Sequence, residues 1–359
     1  ALNADKLFTP GSTTKLLTEG TALATLGADY RFRTRVYRTG ALTTDGTLDG
    51  DLVLVASGDP NLSGRIRPDG TLGFENEDHS YAGDSSTRAV PGDPLLSLRD
   101  LARQVAARVN KVNGRVIVDA TLFREGDREL GTRVVMSPIV VNDNIVDITI
   151  APGAGAGDRT AAEVSPVTAY VNFINQVTTG APGSRPVVRF AADSTAPDGT
   201  HTVTMRGTLP ASGPKILYAY AVPSPSRFAE MAFAQTLRDA GVHVVQRAPR
   251  ARPDFKQLAA RYTDDHAVAE HLSPPMSEDV RITLKVSQNL HASMTPLVLG
   301  AIVGKKDPER TGFDIEREFL ATAGLDLAGA QQADGAGGDA HYTPAFMVSY
   351  LEYMASRPD

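Results

Sequence analysis

Helix-like patterning occupies both ends of this chain, and strand-like alternation fills its middle. An amphipathic run covers residues 13–26, with Leu16, Leu17, Leu23 and Leu26 on its apolar side and Gly27 as its stop signal. Further helical runs lie at Phe228–Ala240, Glu278–Leu284, Leu290–Val303 and Asp314–Ala323, and Thr343-Pro344 opens a last one reaching about Ser356. Between the ends, Tyr30–Tyr37, Asp51–Val55, Ile145–Ala151, Glu163–Val167, Val187–Ala191, His201–Gly207 and Ile216–Val222 alternate like strands, and Val242–Val245 is a short one. Pro94–Val109 reads as a helix and Gly114–Asp119 as the strand after it, a small α/β unit. Ile66–Asp93 is rich in Gly, Asp and Ser and lacks apolar periodicity, so a long loop or insertion is expected there. An amphipathic helix is stable only with its apolar stripe covered. The two ends are therefore expected to build one domain together, in an α/β (α+β) chain with a large insertion.

A length of 359 residues allows about two or three domains. Charged residues make up 22% and hydrophobic ones 42%, as in ordinary globular chains. The net charge of −6 and pI near 5.7 argue against a nucleic-acid footprint. No apolar run approaches the roughly 20 residues that cross a bilayer. The absence of cysteine excludes disulfides, thiolate zinc sites and a cysteine nucleophile, and it fits an exported bacterial protein. The chain opens on Ala1-Leu2-Asn3, so an export signal, if the protein has one, is expected to have been removed or never included.

The segment Pro10-Gly11-Ser12-Thr13-Thr14-Lys15-Leu16-Leu17 starts the first helix, with Ser12 expected at or near its N-cap. The i, i+3 spacing puts Ser12 and Lys15 on one helical face. A serine hydroxyl is a poor nucleophile at neutral pH unless a base takes its proton. A lysine amine becomes that base when burial or a nearby positive charge lowers its pKa. The helix N-terminus also offers backbone N–H groups to an oxyanion. Ser12 and Lys15 thus suit a serine acyltransferase; they also suit a capped helix start with a solvated lysine. Ser287-Gln288-Asn289 begins 275 positions after Ser12. Its hydroxyl and amide, two residues apart, can both enter a cleft from a loop between helices. There Ser287 can pass a proton between lysine and leaving group, and Asn289 can hold the lysine and a substrate amide. An ordinary polar loop accounts for the same three residues.

Together the two motifs resemble the penicillin-recognising serine enzymes, whose pattern is Ser-x-x-Lys, Ser-x-Asn and Lys-Thr-Gly. Phe8–Thr18 resembles the active-serine segment of the class C low-molecular-mass penicillin-binding proteins, which are D-alanyl-D-alanine carboxypeptidase/endopeptidases. Gly50–Pro60, Val118–Phe123, Asn142-Asp143-Asn144, Asp334-Gly335-Ala336-Gly337 and Thr343-Pro344 are similar to further landmarks of that family, as is the long gap between the two motifs. The resemblance implies a transpeptidase-like domain of residues 1–35 and 217–359, an inserted domain of 36–66 and 150–216, and a third, 67–149, nested in the second. It implies a serine-type peptidase acting on peptidoglycan stem peptides through an acyl-enzyme. Lys15 would be its base, Ser12 its nucleophile, Ser287 its proton relay and Asn289 a substrate-binding residue. It further implies β-lactams as inhibitors, no metal or cofactor, no nucleic-acid partner, and an exported, periplasmic or cell-wall location.

The family pattern is not met everywhere. Its Lys-Thr/Ser-Gly motif is absent from its expected place, and Arg38-Thr39-Gly40 and Arg310-Thr311-Gly312 read as turns. The resemblance therefore implies strands before residue 1 and after Asp359 that complete the domain, and an inactive, poorly stable fragment without them. Relatives that read a diaminopimelate side chain use an aspartate in the inserted region and an arginine after the Asp-Gly-Ser-Gly stretch. Here Glu129-Leu130 and Asp339-Ala340-His341 stand in those neighbourhoods, which leaves the third stem residue open. Two other classes also stay open: a different serine acyl-enzyme (an esterase or β-lactamase-like hydrolase), and a catalytically silent cell-wall binding protein.

Glu75, Glu77, Asp78, His79 and Asp84 match no zinc or calcium spacing and read as a solvated acidic loop. His291 reads as a packed or surface histidine. Gly335–Gly338 lacks the preceding strand and the Lys-Ser/Thr of a nucleotide loop.

Overall fold

Leu52–Val55 and Val116–Asp119 are apolar at nearly every position, as strands covered on both faces must be. The computed structural model, which describes residues 2–244, 253–304, 307 and 309–357, pairs them in parallel as β4 (Leu52–Val55) and β6 (Val116–Asp119). Parallel neighbours need a crossover, and α2 (Leu96–Ala106) lies between them. Strand β1 (Arg33–Arg38) joins β4 antiparallel, and β14 (Ala267–Leu272) closes the order β14-β1-β4-β6. Leu98, Leu101, Ala102 and Val105 of α2 recur at helical spacing and are fully buried. They share one core with Phe228, Ala229, Ala232, Phe233 and Leu237 of α3 (Pro225–Asp239).

Three further sheets complete the β region. A small one runs β13-β5-β3-β2, from His243–Val244, Lys111–Val112, Thr47–Asp49 and Ala41–Leu42. A second runs β12-β7-β8, from Ile216–Ala221, Ile145–Ala151 and Ala161–Ser165. The third runs β10-β11-β9, from Val187–Thr195, His201–Pro210 and Val171–Gly180. Strand β9 is ten residues long and alternates in burial but not in sequence, because the apolar Phe173 and Ile174 are adjacent and face opposite sides. Val245, expected in the short strand β13, lies outside the described residues.

The two chain ends meet in a helical body. There α1 (Thr14–Leu26) packs on α5 (Met276–Val286), α6 (Asn289–Ile302) and α7 (Gly312–Thr322). The short α4 (Phe255–Leu258) stands outside this body; α8 (Pro344–Ser356) and the β15–β16 ladder (Ala330–Gln332 with Ala340–Tyr342) complete it. Leu17 packs with Leu320, Tyr342, Phe346 and Tyr350, and Ala22 with Phe32, Met276, Val280 and Val298. Leu16, Leu23 and Leu26, the other members of the expected apolar side, are only half-buried. The helix is instead covered nearly all round over its first two turns, and the covered residues include Thr14, Lys15, Thr18, Glu19 and Thr21. A helix with so polar a buried surface needs polar partners.

The acidic stretch expected to be solvated is in part buried. Arg65, Asp78 and His79 have at most 1% exposure. Arg65 Nη2 donates to Asp78 Oδ2 at 2.8 Å and to Asp143 Oδ2 at 2.5 Å. His79 lies between Asp147 (3.0 Å) and Asp143 (2.9 Å), and His291 between Asp279 (2.9 Å) and Asp143 (3.4 Å). The charges explain the burial: Asp78 and His79 enter the interior because opposite charges already wait there. Glu75, Glu77 and Asp84 stay outside, at the half-buried or exposed end of the loop.

Each ring nitrogen of His79 and His291 faces a carboxylate, which only accepts, so both rings must be doubly protonated. Burial opposes their charge, but the aspartates prevail and raise both pKa values from 6.5 to about 10. Their stabilising contribution is thus complete below about 6.5 and is lost as pH rises toward about 10. We expect nitrogen-15 NMR to find His79 and His291 still imidazolium at pH 8, where an ordinary histidine is neutral. Neutral rings at that pH would contradict the ion-paired arrangement.

Candidate active site

Ser12 does not cap the first helix. It lies in a 3-10 turn, Gly11–Thr13, which leads into α1. Its exposed hydroxyl faces Lys15 one turn on, at 2.9 Å from Nζ. The second motif reaches the same point from the junction of α5 and α6. Ser287 ends α5 in the left-handed conformation, with φ 57° and ψ 43°. That turn swings its Oγ to 2.7 Å from Ser12 Oγ, to which it donates, and to 3.2 Å from Lys15 Nζ. Asn289 opens α6 and accepts from Lys15 Nζ at 2.7 Å through Oδ1. All four residues singled out in the sequence therefore meet around one amine.

A fifth contact comes from a loop whose role was not legible in the sequence. Asp334 Oδ2 accepts from the backbone N–H groups of Ala336 (3.2 Å), Gly337 (2.7 Å) and Gly338 (2.7 Å). The carboxylate thus coils the loop around itself and presents Ala336 O to Lys15 Nζ at 3.3 Å. Two glycines let the loop come this close. A Cβ on Gly335 would lie 2.1 Å from Ala292 O. That carbonyl has no i+4 donor, because Pro296 inside α6 lacks an N–H. A Cβ on Gly337, where φ is +103°, would lie 2.1 Å from Gly11 O, next to Ser12.

Lys15 is 1% exposed. Burial disfavours the ammonium and lowers its pKa from 10.5 to about 8, against the opposing pull of Glu129, Asp334 and Glu19. Glu19 lies one turn further along α1 and is itself pushed up to about 8, by its own burial and then by Asp279. It is therefore mostly neutral at pH 7 and adds little to that pull. Glu129 folds its own loop, accepting from the N–H groups of Gly131 and Thr132 and from Thr132 Oγ. Asn289 Oδ1 and Ala336 O only accept. A neutral Lys15 can give them its two hydrogens and keep its lone pair for a hydroxyl proton. Such an arrangement can activate a serine hydroxyl, with a lysine placed to act as base and a second hydroxyl bridging the two.

His291 does not border this cleft but belongs to the buried ion cluster beneath it. Thr311 caps α7 and Arg38-Thr39-Gly40 leaves β1, so neither Thr-Gly pair reaches the site. Among the described residues, no group of three or more His, Asp or Glu side chains is disposed to hold a metal ion.

Gly337→Ala should force the loop off Gly11 and place an alanine at positive φ. The expected cost is at least about 2 kcal/mol, combining left-handed strain with overpacking. Urea denaturation measures it, and an unchanged midpoint would show that the loop and the Ser12 turn are not in contact.

Comparison with known proteins bears on the family and the fold. The model of the D-Ala-D-Ala carboxypeptidase 3 (S13) family matches residues 2–359. A D-alanyl-D-alanine carboxypeptidase of Actinomadura sp. (strain R39) is 26% identical, over 91% of this chain and 56% of its own length. The D-alanyl-D-alanine carboxypeptidase DacB of Haemophilus influenzae is 23% identical, over 99% of this chain and 68% of its own. The chain thus spans a little over half of the first relative and about two thirds of the second. The crystal structure of penicillin binding protein 4 (dacB) from H. influenzae superposes with a TM-score of 0.69 at 19% identity, covering 98% of this chain and 71% of that one. Its complex with a novel β-lactam superposes with a TM-score of 0.66. The mixed α/β architecture is therefore that of penicillin binding protein 4, as the resemblance implied. By its sequence from residue 2 to residue 359, the chain belongs to the D-Ala-D-Ala carboxypeptidase 3 (S13) family.

Proposed function

We propose that this chain carries the acyl-enzyme centre of a serine-type D-Ala-D-Ala carboxypeptidase/endopeptidase acting on peptidoglycan stem peptides. The observation that carries the reading is the buried Lys15 amine, within hydrogen-bond reach of Ser12, Ser287 and Asn289 together. Family membership supports the substrate class. The β-lactam bound by the H. influenzae relative supports penicillins as inhibitors.

In the proposed cycle, neutral Lys15 takes the Ser12 proton as Ser12 Oγ attacks the carbonyl carbon of the penultimate D-alanine. Ser287, hydrogen-bonded to Ser12 and Lys15, relays the proton from Lys15 to the amine of the departing residue as the C–N bond breaks. Water then attacks the ester, a proton returns to Ser12, and the shortened peptide leaves. Asn289 holds Lys15 and positions the substrate backbone. A β-lactam opens on the same serine and leaves a stable ester. Peptidoglycan lies outside the cytoplasmic membrane, so this substrate requires an exported protein, periplasmic or bound to the cell wall. No described helix is long and apolar enough to cross a membrane.

Covalent labelling of the full-length protein by a fluorescent penicillin tests the reading. Ser12→Ala should abolish labelling, and persistence at full stoichiometry would reject the nucleophile. Lys15→Arg keeps the charge but cannot act as base, so acylation should slow by about 10²–10⁴. With the Lys15 pKa at about 8, acylation should accelerate as pH rises from 6 to 8 and level off above it. A rate that is flat across this range would remove Lys15 as the base.

A further inference from the structure

Gln288 stands between Ser287 and Asn289, yet its side chain turns inward and is 2% exposed. Its Oε1 accepts from the Leu290 N–H at 3.1 Å, capping α6. Its Nε2 donates to Asp143 Oδ2 and to Ser80 Oγ, each at 3.1 Å. Two residues earlier, the Tyr81 hydroxyl donates to Val286 O at 2.9 Å. The strand of chain on both sides of Ser287 is thus tied to the 3-10 turn His79–Tyr81 and to Asp143. The restraint matters because Ser287 is left-handed, a conformation that a serine does not keep unaided.

Asp143 is itself fixed from every side. Asn142, Asp143 and Asn144 are three successive left-handed residues, with φ 50°, 53° and 53°. Asn144 locks this turn by accepting from Val141 N–H at 3.2 Å and donating to Val135 O at 3.2 Å. Arg65, His79 and His291 then converge on the Asp143 carboxylate.

We propose that Gln288 and Asp143 are positioning residues of the acyl-enzyme centre: through the Gln288 carboxamide, the buried carboxylate fixes the turn that aims Ser287 and Asn289 at Lys15. This rests on the function proposed above. Neither residue touches the reacting atoms. Both relevant contacts, Ser287 Oγ to Ser12 Oγ and Asn289 Oδ1 to Lys15 Nζ, are 2.7 Å. A shift of about 1 Å breaks both, and misplacement on that scale costs on the order of 10²-fold in rate.

The test uses the full-length protein and a fluorescent penicillin, with labelled sites titrated so that rate is read per competent site. Gln288→Met keeps the volume and removes all three side-chain hydrogen bonds. Its limiting acylation rate should fall about 10- to 100-fold, while apparent penicillin binding and final stoichiometry stay near those of the parent. An unchanged rate per titrated site overturns the proposal, including the case where fewer sites remain competent, which is a folding role alone. Gln288→Glu supplies a second readout should the methionine variant not fold. Its ionised carboxyl would face the Asp143 carboxylate, around which Arg65, His79 and His291 are already committed. Protonated, it donates to Asp143 and accepts from Leu290 as glutamine does. The ratio of its rate to the parent rate should therefore climb at least about fivefold as pH falls from 8 to 6. A ratio independent of pH overturns the proposal. If the unaltered protein takes no label, the acyl-enzyme reading falls and this one with it. If it labels and the Gln288 variants keep pace, the positioning role alone falls.

Discussion

The Asp143 carboxylate is the constraint on which the rest of this structure depends. Burying a lone carboxylate costs several kcal/mol even after relaxation, so it persists only when paired. Here Arg65, His79, Gln288 and His291 meet it; Asp78 shares Arg65 Nη2 with it, and Asp147 and Asp279 face the other ring nitrogens of His79 and His291. Burial alone would raise the pKa of Asp143, but these partners hold it well below the ordinary carboxylate range. Segments near residues 65, 79, 143, 279 and 288 are thereby drawn to one point. Four carboxylates face three cations, so removing any one of the cations strands a further negative charge in the interior.

This cluster joins the β region to the helical body. Its Arg65, His79 and Asp143 come from the stretch between β4 and β7, while Asp279, Gln288 and His291 come from α5, α6 and the turn between them. The Ser287 turn is the side of this junction that faces α1. The loop around Asp334 closes the opposite side against Gly11. The site is therefore assembled from four separate stretches, each held by a carboxylate or a tight backbone approach and not by its own propensity.

Around Lys15 two opposing effects are balanced. Glu129, Asp334 and Glu19 favour the ammonium, and burial favours the amine. Burial prevails, in part because Glu19 is itself desolvated and carries little charge at pH 7. A lysine with pKa near 8 retains the proton often enough to donate it and loses it often enough to act as a base.

The residues of the candidate site were legible in the sequence because chemistry at one point needs particular types at short spacing. Ser12 with Lys15, and Ser287 with Asn289, are each recognisable as a pair by their short spacing along the chain. The terminal helices were legible from their period, and family landmarks located Asn142-Asp143-Asn144 and the Asp334 loop without saying what they do. Two sequence signals were available and pointed nowhere by themselves. Asn and Asp are the residues that best tolerate a left-handed backbone, and three in a row mark such a turn. Asp followed by Gly-Ala-Gly-Gly can fold N–H groups around a carboxylate. Only the tertiary structure decided which charges are buried. An aspartate or histidine looks the same in a sequence whether water or an opposite charge solvates it. For that reason Asp78 and His79 read as solvated surface, and Glu19 went unremarked. Solvation is a property of neighbours brought from 13 to 276 positions away, and local spacing does not encode it.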